Sequence, residues 1–181
     1  MENIISKEQL SETRKRTRFF SLNESKRILS SRSAYSSEVK VFLSHHHGDD
    51  IILENVINEL KSLGVDVYVD WNDEGMPAIT SAYTAMRIKE KIRSCKKFIL
   101  IATEGAIQSK WCNWELGYGD AFRYKDNIAV LPIKDARDKV FTGTEYLRIY
   151  PIITNQNQYS LGTYYVEYGD TKITLKDWLK R

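Results

Sequence analysis

Between Val39 and Ile133 the apolar positions repeatedly switch between the period of a strand and that of a helix. VKVFLS (39–44) has the continuous apolar run of a short buried strand. DIILENVINELKSLG then sets Ile52, Val56, Leu60 and Leu63 at helical spacing, with Gly64 as the stop. VDVYVD (65–70) predicts a second strand, followed by the polar loop WNDEGMPAIT. SAYTAMRIKEKIRSC (81–95) predicts a helix capped by Thr80 or Ser81. KFILIAT (97–103) predicts a third strand, the stretch around SKWCNWELGYG a helix, and NIAVLPI (127–133) a fourth strand. Strands that alternate with helices in this way predict a doubly wound α/β fold, a parallel sheet covered by helices on both faces.

The pattern weakens after Ile133. EYLRIYPII (145–153) predicts a fifth strand, TYYVEY–GD–TKIT a hairpin turning at Gly169-Asp170, and Thr174-Leu-Lys-Asp the capping box of a last short helix. Residues 1–38 form a Ser- and Arg-rich extension with a partly helical stretch from about Lys7 to Leu29. Ile4, Ile5, Leu10, Phe19, Leu22, Ile28 and Leu29 give it an apolar side to bury. The expected division is therefore an N-terminal extension (1–38) and an α/β domain with a C-terminal elaboration (39–181).

Charge narrows the choice of partners. The 181-residue chain carries a net +3, and residues 1–38 hold eight Lys or Arg against five Glu, so the rest is neutral. The body has no basic field for nucleic acid. In the extension, acids interleave with bases, which suits a packing or oligomer-forming helix better than a nucleic-acid arm. Two cysteines, Cys95 and Cys112, are expected to be free thiols. The N-terminus has no apolar signal core, and no apolar run approaches the roughly 18 residues of a membrane span, so a cytoplasmic protein is expected.

In an open parallel sheet, ligands bind beyond the carboxyl ends of the strands. Three polar stretches fall on that rim: Ser44-His-His-His-Gly-Asp-Asp50, Asp70-Trp-Asn-Asp-Glu-Gly-Met-Pro77, and the run from Thr103 through Ser109 to Glu115. Consecutive histidines point poorly at one metal ion, so no metal is expected. His45 is the candidate for a hydrogen bond to a ligand or a neighbouring loop. A P-loop is absent, and Gly117-Tyr-Gly119 lacks the third glycine of a dinucleotide fingerprint. A phosphoacceptor receiver domain needs an aspartate at the end of the third strand, where this chain has Ala102-Thr103.

Glu115 sits among Trp111, Trp114 and Tyr118, and two readings stand. Either the aromatics fill the core while Glu115 faces water at its edge, or Glu115 works in a partly dry pocket. Gly117 and Gly119, each costing a helix about 1 kcal/mol against alanine, suggest that something approaches this helix closely. A carboxylate in low dielectric suits a cationic transition state.

VFLSHHHGDD, GVDVYVDWNDEGMP and SKWCNWELGYGD, in that order over about residues 39–133, resemble the TIR (Toll/interleukin-1 receptor) domain of bacterial stand-alone proteins. The last piece is the most specific, with its Trp-Cys pair just before a glutamate. The resemblance implies a flavodoxin-like fold and cleavage of the nicotinamide–ribose bond of NAD, which is substrate; no cofactor is implied. It makes Glu115 the catalytic residue that stabilises the oxocarbenium-like centre. It also places Ser44, His45 and Asp49 in the phosphate- and ribose-facing loop, Trp71 in a mobile covering loop near Asp73 and Glu74, and Trp111 in the wall of the nicotinamide pocket. It further implies homo-oligomers through TIR–TIR contacts and ADP-ribose, a cyclic isomer or a conjugate as product. In anti-phage systems such as Thoeris, a separate effector senses that product. A non-catalytic TIR adaptor and a glycosidase or ribosyltransferase acting on another nucleotide are the alternatives.

Overall fold

The computed structural model describes residues 4–10, 39–70, 81–122, 125–134, 145–156 and 163–181. Its strands are β1 (Ile5–Ser6), β2 (Lys40–Ser44), β3 (Asp66–Tyr68), β4 (Lys97–Ala102), β5 (Ile128–Lys134), β6 (Ile152–Asn155), β7 (Tyr164–Tyr168) and β8 (Thr171–Thr174). The helices α1 (Asp50–Ser62), α2 (Ala82–Ser94), α3 (Glu104–Gln108), α4 (Lys110–Phe122) and α5 (Leu175–Lys180) connect or cover them. One sheet runs β3-β2-β4-β5-β6-β7-β8, with β1 added at the far end of β5. From β3 to β6 the pairing is parallel, and β7 and β8 return antiparallel. This is the flavodoxin-like order expected from the sequence. The chain leaves β2 for β3 on one side and crosses back to β4 on the other, which puts a topological switch point between β2 and β4.

The sheet divides two cores. On one face Leu53, Val56, Ile57 and Leu60 of α1 pack with Ile99, Ile101, Leu131, Leu175 and Trp178. On the other, Ile88 and Ile92 of α2 and Cys112 and Leu116 of α4 cover Phe42, Phe98, Leu100 and Val130. The residues of β4 are buried along its whole length, as both-face coverage requires. Phe42 and Phe98, opposite each other in register, stack with ring centroids 5.4 Å apart.

Local chemistry sets the boundaries. Gly64 ends α1 with φ +82°, a conformation open to glycine. Ser81, and not Thr80, caps α2: its Oγ accepts from the Thr84 amide while the Thr84 hydroxyl accepts from the Ser81 amide. Ser81→Ala should therefore lower stability by about 1 kcal/mol, read as a lower urea midpoint at unchanged slope. Thr174 caps α5 as predicted, accepting from the Asp177 amide. The expected strand over 145–153 is a correction. Glu145–Ile149 is a turn of 3-10 helix, and only Ile152–Asn155 pairs, after Pro151, which has no N–H to give a ladder.

The extension begins inside the domain. Ile5–Ser6 pairs parallel with Ile133 and Lys134, and Ile5 and Leu10 are buried in the α1-side core. The helical stretch expected from Lys7 to Leu29 is helical over 7–10; its remainder lies outside the described residues. The C-terminal elaboration is tied to the body by Trp178, whose Nε1 donates to the Asp126 carbonyl at 2.8 Å. The buried Lys97 ammonium lies over the Trp178 ring and donates to Asn127 Oδ1 at 2.7 Å.

Candidate active site

The site forms where β2 ends. Ser44 is the last residue of that strand and is fully buried, so its hydroxyl has to find a partner inside the protein. It finds Glu115: Ser44 Oγ donates to Glu115 Oε2 at 2.6 Å across 71 residues of sequence. Glu115 is itself only 3% exposed.

Helix α4 buries Cys112, Glu115, Leu116 and Gly119, a stripe at three- and four-residue spacing. A Cβ at Gly119 would sit 3.2 Å from the Phe98 ring, so this glycine lets the helix lie close on the sheet. Gly117 is exposed, and a Cβ there would meet nothing, so the close-approach argument holds for Gly119 alone. The aromatics form the neighbouring, half-exposed stripe. Trp111 stacks on Trp114 at 4.9 Å, Trp114 on Tyr118 at 5.9 Å, and Tyr118 meets Phe122 at 4.8 Å. Lys89 and Arg93 of α2 lie over this ladder. The arrangement in which the aromatics fill the core and Glu115 faces water is therefore reversed.

The electrostatics follow from this burial. Desolvation, aided by the negative charge of Asp70, pushes Glu115 up to about 8, while the Ser44 hydrogen bond works in the opposite direction. Burial raises the Cys112 thiol to about 11, and its Sγ–H donates to the His45 carbonyl at 3.2 Å. Burial also lowers the pKa of His45, against the pull of Asp70. The His45 ring places Nδ1 3.4 Å from the Leu43 carbonyl and 3.9 Å from Asp70 Oδ1. Its Nε2 is buried with no hydrogen-bond partner among the described residues. Such an atom costs free energy unless something arrives to satisfy it.

The first and third rim stretches meet, and of the second only Asp70 lies among the described residues. Ser44 and His45 adjoin Glu115 directly or through Cys112. Asp49 is turned to the loop's own support: the Thr103 hydroxyl donates to its Oδ2 at 2.5 Å, and Thr103 caps α3 by accepting from the Ala106 amide. His46 stands against α3, where a Cβ on Gly105 would come within 2.8 Å of its Nδ1. Trp111 lies one turn before Glu115 on α4. Trp71, Asp73 and Glu74 lie outside the described residues. Asp70, which the sequence placed on the rim as the start of the second stretch without giving it a role, is a member of the site. Its signal was topological, because β3 is the parallel neighbour of β2 and both strands end on one rim.

Residues 41–156 match the family model described as a TIR domain. The chain belongs to the TIR domain family. It is 35% identical over 116 residues to a Bacillus cereus (strain MSX-D12) protein named "Probable 3' cyclic ADP-D-ribose synthase ThsB'", a match covering 62% of this chain and 59% of that protein. It is 27% identical over 96 residues to TIR2 of Cytobacillus dafuensis, provisionally named a cyclic ADP-D-ribose synthase, covering 51% of this chain and 25% of that one. The match thus spans about three fifths of one relative and a quarter of the other. No described helix is long and apolar enough to cross a membrane.

Proposed function

We infer that this TIR domain cleaves the nicotinamide–ribose bond of NAD and joins the ADP-ribosyl product into a cyclic form. The observation that carries the reading is a buried glutamate, bonded to Ser44, at the switch point of a doubly wound sheet. The names of the two relatives support the choice of NAD and of a cyclic product.

In this reaction the C–N bond to nicotinamide breaks, and its electron pair goes to the ring nitrogen, whose positive charge it neutralises. The ribose C1 is left cationic. A carboxylate already stripped of water stabilises that charge more than a solvated one could, because no solvent has to reorganise as it develops. Ser44 orients the carboxylate, and Trp111 lies one turn away as an aromatic wall. Nicotinamide is a good leaving group, so no general acid is required. The chain acts without a cofactor, NAD being the substrate. Further parts of the proposal are assembly through TIR–TIR contacts, a role for Trp71 in covering the substrate, and a cytoplasmic place in anti-phage defence with a separate effector sensing the product.

Incubating the purified chain with NAD at concentrations high enough for self-association, and resolving products by mass, tests the reading. Nicotinamide and a cyclic ADP-ribose are expected; NAD left untouched would sink it. The proton on Glu115 gives a second check. A free-enzyme value of about 8 makes kcat/KM rise with pH through that region, since the charged form is the active one. Ser44→Ala removes the bond that favours the charged form, so this limb should move to higher pH and turnover at pH 7 should fall by about tenfold. An unmoved limb would show that Ser44 does not act on the carboxylate.

A further inference from the structure

The rim holds a second carboxylate beside two histidines. Asp70 lies with its side chain 13% exposed, Oδ1 3.9 Å from His45 Nδ1 and Oδ2 4.0 Å from His47 Nε2. The two imidazoles differ: the His45 side chain is 2% exposed and that of His47 is 69% exposed, with ring centroids 5.6 Å apart. One end of the cluster faces the buried site and the other faces water.

Ring closure makes a demand that bond cleavage does not. For a ring closed at the 3' position, the product given in the name of the Bacillus cereus relative, a hydroxyl oxygen of the ADP-ribosyl unit forms a C–O bond to the ribose C1 as nicotinamide leaves with the C–N electron pair. That hydroxyl must give up its proton. Glu115 is poorly placed to take it, because protonation would cancel the negative charge that balances the cation at the same moment. Ser44 already donates to it as well. His45 is disfavoured by burial, which opposes its charged form. A neighbouring acceptor with an outlet to solvent is what the step needs.

We propose that Asp70 is the base of ring closure, taking the hydroxyl proton and passing it through His47 to water. The proposal rests on the NAD-cleaving reading above. The balance is one NAD giving one cyclic ADP-ribose, one nicotinamide and one proton. The charge of Asp70 is also felt at Glu115, which places the two carboxylates in one electrostatic neighbourhood. Imidazole is the side chain best suited to carry protons near neutral pH, and His47 is the exposed one of the pair.

The test measures product partition. With Asp70→Asn, the ratio of cyclic product to nicotinamide released should fall at least tenfold, the difference appearing as linear ADP-ribose. With the exposed His47→Gln, cyclic product should form more slowly, and added imidazole should restore it. A ratio unchanged in Asp70→Asn would overturn the proposal. So would a variant that loses nicotinamide release as fully as Glu115→Gln, because Asp70 would then serve the cleavage step. If Asp70→Asn does not fold, His47→Gln decides, and a failure of imidazole to rescue its deficit sinks the relay. Wild-type protein that releases nicotinamide but makes only linear ADP-ribose defeats this inference alone. Wild-type protein that leaves NAD intact defeats the proposed function beneath it.

Discussion

Replacing Glu115 by Gln should cut nicotinamide release by on the order of 100-fold or more while making the folded protein more stable in alkali. Both effects come from one carboxylate held where water cannot reach it. The amide keeps the shape and can still accept from Ser44 Oγ, but it offers no charge to a cationic ribose. For stability, the sign follows from the raised pKa. The folded protein binds a proton at Glu115 up to about 8, whereas the unfolded chain releases it near its ordinary value of 4.5. Between those values the native state holds the extra proton, so wild-type stability declines as pH rises, and the full cost is present above about 8. Glutamine escapes that cost. The gain should be on the order of 5 kcal/mol at pH 9 and near zero at pH 4, read from urea midpoints of the two proteins at both pH values. A variant with wild-type turnover would remove Glu115 from the chemistry. An equal midpoint difference at both pH values would contradict the raised pKa.

The largest loss of stability is expected at Phe98. This ring is fully buried, stacks on Phe42 and lies under the bare Cα of Gly119. Phe98→Ala should cost about 3–5 kcal/mol, because the rigid sheet and α4 cannot both collapse into the space. α4 carries Glu115, so the loss should reach the site too, with turnover falling even at temperatures where the protein remains folded. A drop of less than about 1 kcal/mol in the urea experiment would show that the helix settles onto the sheet.

How far the sequence could be read depended on whether a signal was local. β2, β4 and β5 were legible because strands covered on both faces show as continuous apolar runs, and α1 because its periodic stripe ends at a glycine. The segment 145–153 also looked like one apolar strand. A proline at 151 divides it, and its first half makes a helical turn that periodicity over nine residues cannot distinguish. On α4 the stripes 112-115-116-119 and 111-114-118-122 are adjacent, and both carry large or apolar groups. Which one faced the sheet was decided by Phe98 accepting a glycine and by Ser44 accepting an acid, both far away in the chain. The role of Asp70 was hidden for a similar reason. The sequence put this residue on the rim with the histidine stretch, but its distance from His45 and His47 depends on the pairing of β3, which ends two residues earlier, with β2. Asp49 was legible as a rim residue, but its bond to Thr103 depends on two strand ends meeting.

Cys112 lies three residues before Glu115, which makes it an obvious target for electrophiles aimed at this site. The fold denies them that target. The thiol is 1% exposed, its proton is committed to the His45 carbonyl, and its pKa of about 11 leaves almost no thiolate at neutral pH. Cys95, the other cysteine, is equally buried. Alkylating reagents and peroxide therefore meet neither sulfur until the structure opens. In the intact protein the rate at which iodoacetamide labels Cys112 becomes a clock for the opening of α4, and a molecule bound beside Glu115 should slow that clock without touching the sulfur.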